Sequence, residues 1–417
     1  MLQKFLAIIL HLCDNDLSMK TNYNKTLIAC STGYLVQALS NNFLPLLFVY
    51  FASFYKIPVT LISIIIAYNF IIQIFVDMFS SKFILSVGYR VSGIVSASFC
   101  VLGLIILATT PLLVTGYLKI YIGIMIAVTF TAIGSGLSEV ILSPIIEALP
   151  FDNKPTKMSF LHSFYALGHI LTIVISSLFF LIFKIDNWYI LALLFIIIPL
   201  AQILMFISCP IINPVGDEVK VKKSSLFKNK TFIILFLLMI MAGAAEQAIA
   251  QWASYFAETG LKVTKSLGDL LGACLFALFM FISRMWYGTA KKKPNITIAI
   301  LIFSIVLAIC YVFIVIQPSA IISLLFIALC GFFVGILWPG LYSVGGGIFV
   351  SGGAVMFSML ALGGDLGCAI GPLLVGFVAN YSNIKIGILS ATIFPVLLII
   401  GMVLLIRLTR EKKGGII

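Results

Sequence analysis

The side chains able to do chemistry in this chain sit inside stretches that are otherwise apolar. Glu139, Glu246 and Asp365 are carboxyls, His162 and His169 are imidazoles, and Asn41, Asn42, Gln73, Gln247 and Gln251 are amides, each among aliphatic and aromatic neighbours. A charge at the centre of a bilayer costs several kcal/mol, so such groups face protein or a water-filled path and mark proton or substrate sites. Glu139 lies about ten residues from the C-terminal end of its segment, hence about 15 Å deep at 1.5 Å per residue and close to the midplane. A carboxyl there is suited to take up and release a proton. Glu246 borders a helical face made by Gln247, Gln251 and, less closely, Tyr255, with Trp252 nearby. Directional hydrogen bonds beside an apolar ring suit a polyhydroxylated ligand. The structural alternative is hydrogen bonding between helices, about 0.6 kcal/mol per bond on average.

His162 and His169 share one face of a later segment, with Tyr165 between them, and histidine titrates close to physiological pH. Trp338 precedes Pro339 and Gly340, which reads as a kink carrying an aromatic ring that a solute can stack on. Asp269 and Arg284 stand toward opposite ends of one segment and are expected as interface anchors or loop contacts. The proton-coupling candidates are therefore Glu139, Glu246, Asp365 and His169. The substrate-binding candidates are Asn41, Asn42, Gln73, His162, Tyr165, Gln247, Gln251, Trp252 and Trp338. No HExxH, nucleophile with its base, phosphate-binding glycine loop or paired cysteine spacing is present. Neither an enzyme, an ATP site, a cofactor nor a metal is expected.

The elements that hold these residues follow from composition. The chain is 62% hydrophobic and only 10% charged, with a mean hydropathy of +1.20, far from the soluble norm. Apolar segments of spanning length fall near 25–53, 57–80, 91–113, 120–148, 158–183, 187–209, 232–257, 266–288, 295–316, 319–343, 353–379 and 383–407. Segments 3, 6, 9 and 12 carry no charge in their interiors and read as a lipid-facing wall; the other eight hold the polar groups. The expectation is an all-α polytopic membrane protein, twelve transmembrane helices in two six-helix pseudo-repeats around a central cavity. The net charge of +12 speaks of topology rather than nucleic acid. Six of the 26 Lys and Arg residues, Lys56, Lys119, Lys184, Lys262, Lys265 and Lys385, fall on one side, and the other twenty on the opposite side. The basic excess marks the cytoplasm and places both termini there, in the cell (plasma) membrane.

Residues 1–24 form a cytoplasmic segment. Of these, 1–18 read either as a short leader or as the product of a start codon set too far upstream. The first half follows at 25–209, a cytoplasmic central loop carrying Lys220, Lys222 and Lys223 at 210–231, the second half at 232–407, and a cytoplasmic tail at 408–417. The halves repeat. The stretch from His162 to Leu171 aligns with that from Phe357 to Leu366, with Ser163/Ser358, Ala166/Ala361, Leu167/Leu362, Gly168/Gly363 and Leu171/Leu366 identical. Parallel six-helix repeats are one way to build alternating access.

With this plan the chain resembles the major facilitator superfamily over 25–407. Gly88-Tyr89-Arg90 is similar to the end of that superfamily's loop 2–3 signature, although Leu85 and Ser86 replace its charged residues and the nearest charges are Asp77 and Lys82. The resemblance makes Asp77, Arg90 and Glu147 gating candidates. Gly136-Leu-Ser-Glu139 through Ser143-Pro144 resembles the fucose permease branch of sugar–proton symporters, whose glutamate is implicated in proton-coupled sugar transport; Ser143 stands for its asparagine. Asn41-Asn42-Phe-Leu-Pro45 is similar to that branch's first-span segment but lacks its acid. The resemblance implies a monomeric secondary carrier of a small polar solute, a sugar first, driven by a coupling ion, the proton. A proton-driven exporter of drugs or metabolites and a transport-fold sensor without flux are the alternatives.

Overall fold

In the computed structural model the described residues are 22–151, 154–212, 226–289, 295–349 and 353–414. Lys220, Lys222, Lys223, Lys291 and residues 1–18 lie outside them. Twelve helices are long and apolar enough to cross a membrane. They are α1 Tyr23–Ser53, α2 Val59–Ser80, α3 Phe83–Leu113, α4 Tyr117–Ala148, α5 Phe160–Phe183 and α6 Ile185–Ser208. The second set is α7 Lys230–Ala250, α8 Lys265–Tyr287, α9 Ile296–Ile316, α10 Ala320–Ile348, α11 Ser358–Tyr381 and α12 Ile384–Thr409. There is no strand among the described residues. Helices are the natural answer here, because hydrocarbon offers no partner to an unpaired backbone group. Chain direction alternates; the end reached at Ser53 is called the far end.

The apolar wall is borne out for three helices and corrected for one. The apolar windows of α6, α9 and α12 are the least buried, at 33%, 39% and 39%, and expose Leu194, Ile197 and Leu204, Ile302 and Ile309, and Ile393 and Ile400. α3 is 61% buried. Its helical backbone is broken at Gly88, so its regular part starts close to the expected 91, with Arg90 at its head. It also lies tight against α4, where Ser96 Oγ donates to the Gly134 carbonyl at 2.8 Å and meets Ser138 Oγ at 2.6 Å. The corresponding helices α1 and α7 are the most enclosed, at 78% and 67%, as the repeat requires.

Local breaks have local causes. Gly88 sits at φ +82° with open space around its α-carbon, so backbone conformation, not crowding, selects glycine. The turn it makes lets Arg90 Nη1 donate to the Phe206 and Ile207 carbonyls at 2.9 and 2.7 Å. These are unsatisfied acceptors at the C-terminus of α6, where a cation is also favoured by the helix dipole. In α10 the helix is interrupted at Ile336, just before Pro339. Proline cannot donate to the carbonyl four residues back, which is Gly335.

The described residues divide into two compact units. Unit 1 takes those of Met1–Phe43, Ile72–Thr172 and Ile182–Gly216; unit 2 takes those of Leu44–Ile71, Ile173–Leu181 and Asp217–Ile417. Unit 1 has an apolar core of Leu27, Tyr34, Ile94, Ile141, Ile145 and Phe206. In unit 2, α7 and α11 approach closely at glycines: a Cβ on Gly367 would strike the Ile240 carbonyl oxygen, and one on Gly371 the Ala244 carbonyl oxygen.

Candidate functional site

In unit 1 the polar site is organised by one stripe of α1. Tyr34, Gln37 and Asn41 follow one another at steps of three and four residues, so they stack along a single helical face. Gln37 Nε2 donates to Glu139 Oε2 of α4 at 2.8 Å. One turn along α1, Asn41 Oδ1 accepts from Gln73 Nε2 of α2 at 3.2 Å. One turn the other way, Tyr34 OH meets Ser143 Oγ at 3.1 Å, and Ser143 meets His162 Nε2 of α5 at 3.3 Å. The Tyr34 and His162 rings are 5.0 Å apart. Four helices thus supply three polar contacts along one face of α1, with the Gln37–Glu139 contact in the middle. Gly168 of α5 allows the close approach: its Cβ would lie 2.8 Å from Ala38 Cβ.

Of the other unit 1 candidates, Asn42 turns back on its own helix, its Nδ2 donating to the Ala38 carbonyl at 2.8 Å. His169 is buried, His162 exposed and Tyr165 half-buried. Arg90 serves the end of α6, while Glu147 is exposed and Asp77 half-buried.

Unit 2 carries a second cluster. Gln251 Nε2 donates to Gln247 Oε1 at 3.0 Å, and Gln247 Nε2 reaches Glu246 Oε1 at 3.5 Å. Glu246 Oε2 meets Arg284 Nη2 of α8 at 3.4 Å. Arg284 Nε donates to the Gly335 carbonyl at 3.1 Å, the acceptor that Pro339 leaves without its helical donor. One guanidinium therefore mends a proline break and balances a buried carboxylate. Nearby, Tyr311 OH donates to the Ala245 carbonyl at 2.6 Å.

Two expectations are corrected here. Arg284 is not an interface anchor, because its side chain reaches Glu246; nor is Asp269, whose carboxylate is fully buried. Trp252 offers no open ring to a solute: it is fully buried, packs on Phe48 and Tyr255, and donates Nε1 to the Pro372 carbonyl at 3.0 Å. Trp338 is partly exposed and lies against Gly364, where a Cβ would strike its ring. The adjacent Asp365 is buried. Among the described residues no group of His, Cys, Asp and Glu side chains is placed to hold a metal ion.

The family model described as Major Facilitator Superfamily matches residues 30–356. The chain belongs to the major facilitator superfamily. No curated protein matches it in sequence, whereas solved structures match its fold along nearly the whole chain. The nucleoside transporter NupG superposes with a TM-score of 0.73 at 12% identity, covering 91% of this chain and 99% of that one. A D-xylose-proton symporter gives 0.71 at 14% identity, covering 91% and 96%. The E. coli fucose:proton symporter gives 0.63 at 15% identity, covering 91% and 98%. At such identities these likenesses show the fold alone. As a major facilitator the chain is a multi-pass membrane transporter.

Sequence reasoning missed Tyr34 and Gln37, although their spacing from Asn41 was visible. It also missed the Arg284–Glu246 pair, whose signal was Pro339 and the carbonyl it leaves open.

Proposed function

We propose that this transporter is a secondary active carrier of a small polar solute, a sugar or related polyol first, working by alternating access and driven by the proton gradient. The observation that carries the reading is the contact of Gln37 with Glu139, set between two further polar contacts on the same face of α1 in unit 1. An intramembrane carboxyl held by an amide, flanked by Asn41, Gln73, Tyr34, Ser143 and His162, offers both a proton acceptor and the directional donors and acceptors that hydroxyl groups need. The Glu246–Arg284 pair in unit 2 is a second place where a proton acts, since protonating Glu246 removes the charge that Arg284 answers. The structural neighbours named for fucose and xylose support this solute class, and the one named for nucleosides extends it to other hydroxylated solutes. Its charge asymmetry supports a plasma-membrane carrier with both termini in the cytoplasm.

The test is uptake of labelled sugars, polyols and nucleosides into vesicles under an imposed proton gradient. Accumulation of a hydroxylated solute that a protonophore abolishes is the expected result. Gradient-driven extrusion of an amphipathic dye with no sugar uptake would make it an exporter. Specific binding without flux of any solute would make it a sensor.

A further inference from the structure

Gln202 of α6 is fully buried, and neither its Nε2 nor its Oε1 has a hydrogen-bond partner among the described residues. Buried polar groups are almost always satisfied, so an amide open at both ends calls for an explanation. It stands in the seam between α1, α4 and α6 of unit 1. A Cβ on Gly33 of α1 would lie 3.1 Å from Gln202 Nε2 and 2.8 and 2.9 Å from the two methyl carbons of Leu142 on α4. Glycine at 33 thus lets the amide lie close against α1. The neighbouring hydroxyl of Thr32 is engaged elsewhere, with the Ile28 carbonyl at 3.0 Å and Met205 Sδ at 3.4 Å.

A third open atom lies one turn away. Gln37 gives Nε2 to Glu139, but its Oε1 is buried and without a partner among the described residues. Gly33 and Gln37 are four residues apart on α1, and Glu139 and Leu142 three apart on α4. The two amides therefore occupy adjacent levels, about 5.4 Å apart along the helix, and a helical side chain at 37 leans back toward residue 33. The chemistry of the pair selects the ligand. When Glu139 takes up a proton, its hydroxyl becomes a donor, and Gln37 answers by turning its amide over. The face Gln37 turns away from Glu139 is then an acceptor in one state and a donor in the other. A cation or an anion satisfies one of these; a water satisfies both, and it also matches the two open ends of Gln202. Gln202 is closed to solvent, so a solute hydroxyl does not reach it.

We propose that Gln202 holds an internal water in the seam of α1, α4 and α6, and that through this water it positions Gln37 for proton exchange at Glu139. The role at Glu139 rests on the proton-coupled reading; the water itself is tested without solute or gradient. Detergent-purified protein is exposed to a brief synchrotron X-ray pulse and its oxidised side chains are read by mass spectrometry. Radicals made from a held water mark the side chain beside it. Leu142 and Ile145 of α4 are both fully buried, and Leu142 alone borders Gln202, so Leu142 is expected to be marked well above Ile145. Gln202→Leu is expected to lower the marking of Leu142 by about tenfold, and Gln37→Leu by about threefold, since the water then keeps its other partners. Equal marking of Leu142 and Ile145, or no change in Gln202→Leu, overturns the water. Loss in Gln202→Leu with none in Gln37→Leu overturns its link to Glu139. Should Gln202→Leu not be monodisperse, Gln202→Met, unbranched and without a donor, carries the same expectation. In the vesicles used for solute uptake, Gln202→Leu is expected to reduce gradient-driven accumulation by about tenfold and to leave counterflow unchanged, a split that a merely structural residue does not produce. Normal accumulation overturns the positioning role, whereas an unmodified protein that moves no solute fails the transport reading and leaves the marking of Leu142 to decide the water.

Discussion

Glu139 and Gln251 are the two residues whose replacement separates the chemistry of transport from the packing of helices. Glu139 receives the Gln37 amide at 2.8 Å, so Glu139→Gln keeps shape and length while removing the titration. Gradient-driven accumulation is expected to vanish while substrate counterflow persists. Accumulation at the unmodified level would reduce Glu139 to a hydrogen-bond partner between α1 and α4. Gln251, buried and bonded to Gln247, is expected to serve the solute. Losing a buried partner costs roughly 1–3 kcal/mol, so Gln251→Ala should weaken binding by about tenfold or more, with near-normal protein in the membrane. Normal affinity with poor accumulation would show that this face only packs helices. At this scale the sequence disclosed the residue types and much of one face, because period and apolar context were legible. It concealed Arg284 and Trp252. A long side chain can reach a distant carboxylate from near a helix end, and an indole donor can be satisfied by a backbone carbonyl that no motif marks.

The breaks at Gly88 and before Pro339 were marked by those residues, although Pro111, Pro144 and Pro372 sit inside continuous helices, while helix proximity depended on contacts that no single segment contains. The seam between α7 and α11 is the clearest case. At Gly367 the obstacle is backbone, the Ile240 carbonyl oxygen, so no side chain can swing away. Gly367→Ala is expected to cost about 1–3 kcal/mol by overpacking, more than the roughly 1 kcal/mol that alanine contributes to helix propensity. A lower Tm in detergent is the expected result; an unchanged Tm would mean that α7 and α11 can part freely. The segment between α7 and α8 supplies a pH dependence. Burial raises the Glu258 carboxyl above its ordinary 4.5; Lys265 pulls it down and Asp269 pushes it up by smaller amounts. With the folded value raised, the charged form is disfavoured in the folded state, so the cost is absent below the ordinary value and grows as pH rises through the raised one. Unmodified protein should therefore lose Tm, relative to Glu258→Gln, as pH climbs from 4.5. Parallel Tm curves for the two proteins across that range would remove Glu258 from the account.

Across the whole molecule, composition alone established the membrane helices and their number, since hydrocarbon admits few alternatives to a helix. The repeat was legible in α5 and α11 and is reinforced by the matching enclosure of α1 and α7. The burial of α3 was not legible, because it arises from close contact with α4 at Ser96 and Gly134. Sidedness is the remaining property that belongs to this scale, and the charges argue it. By the alternation of the twelve segments in sequence, Lys56, Lys119, Lys184, Lys262, Lys265 and Lys385 fall on one side and the other twenty of the 26 basic residues on the opposite, near side. Translocating a basic segment is disfavoured, so the near end should remain in the cytoplasm. Lys265 refines this argument: its ammonium is engaged by Asp269 and the Leu46 carbonyl, so one of the six far-end charges has a structural reason to be there. A reporter joined after Lys223 should therefore register as cytoplasmic, and one inserted between Lys262 and Lys265 as external. External signal from the first, or cytoplasmic signal from the second, would contradict the orientation.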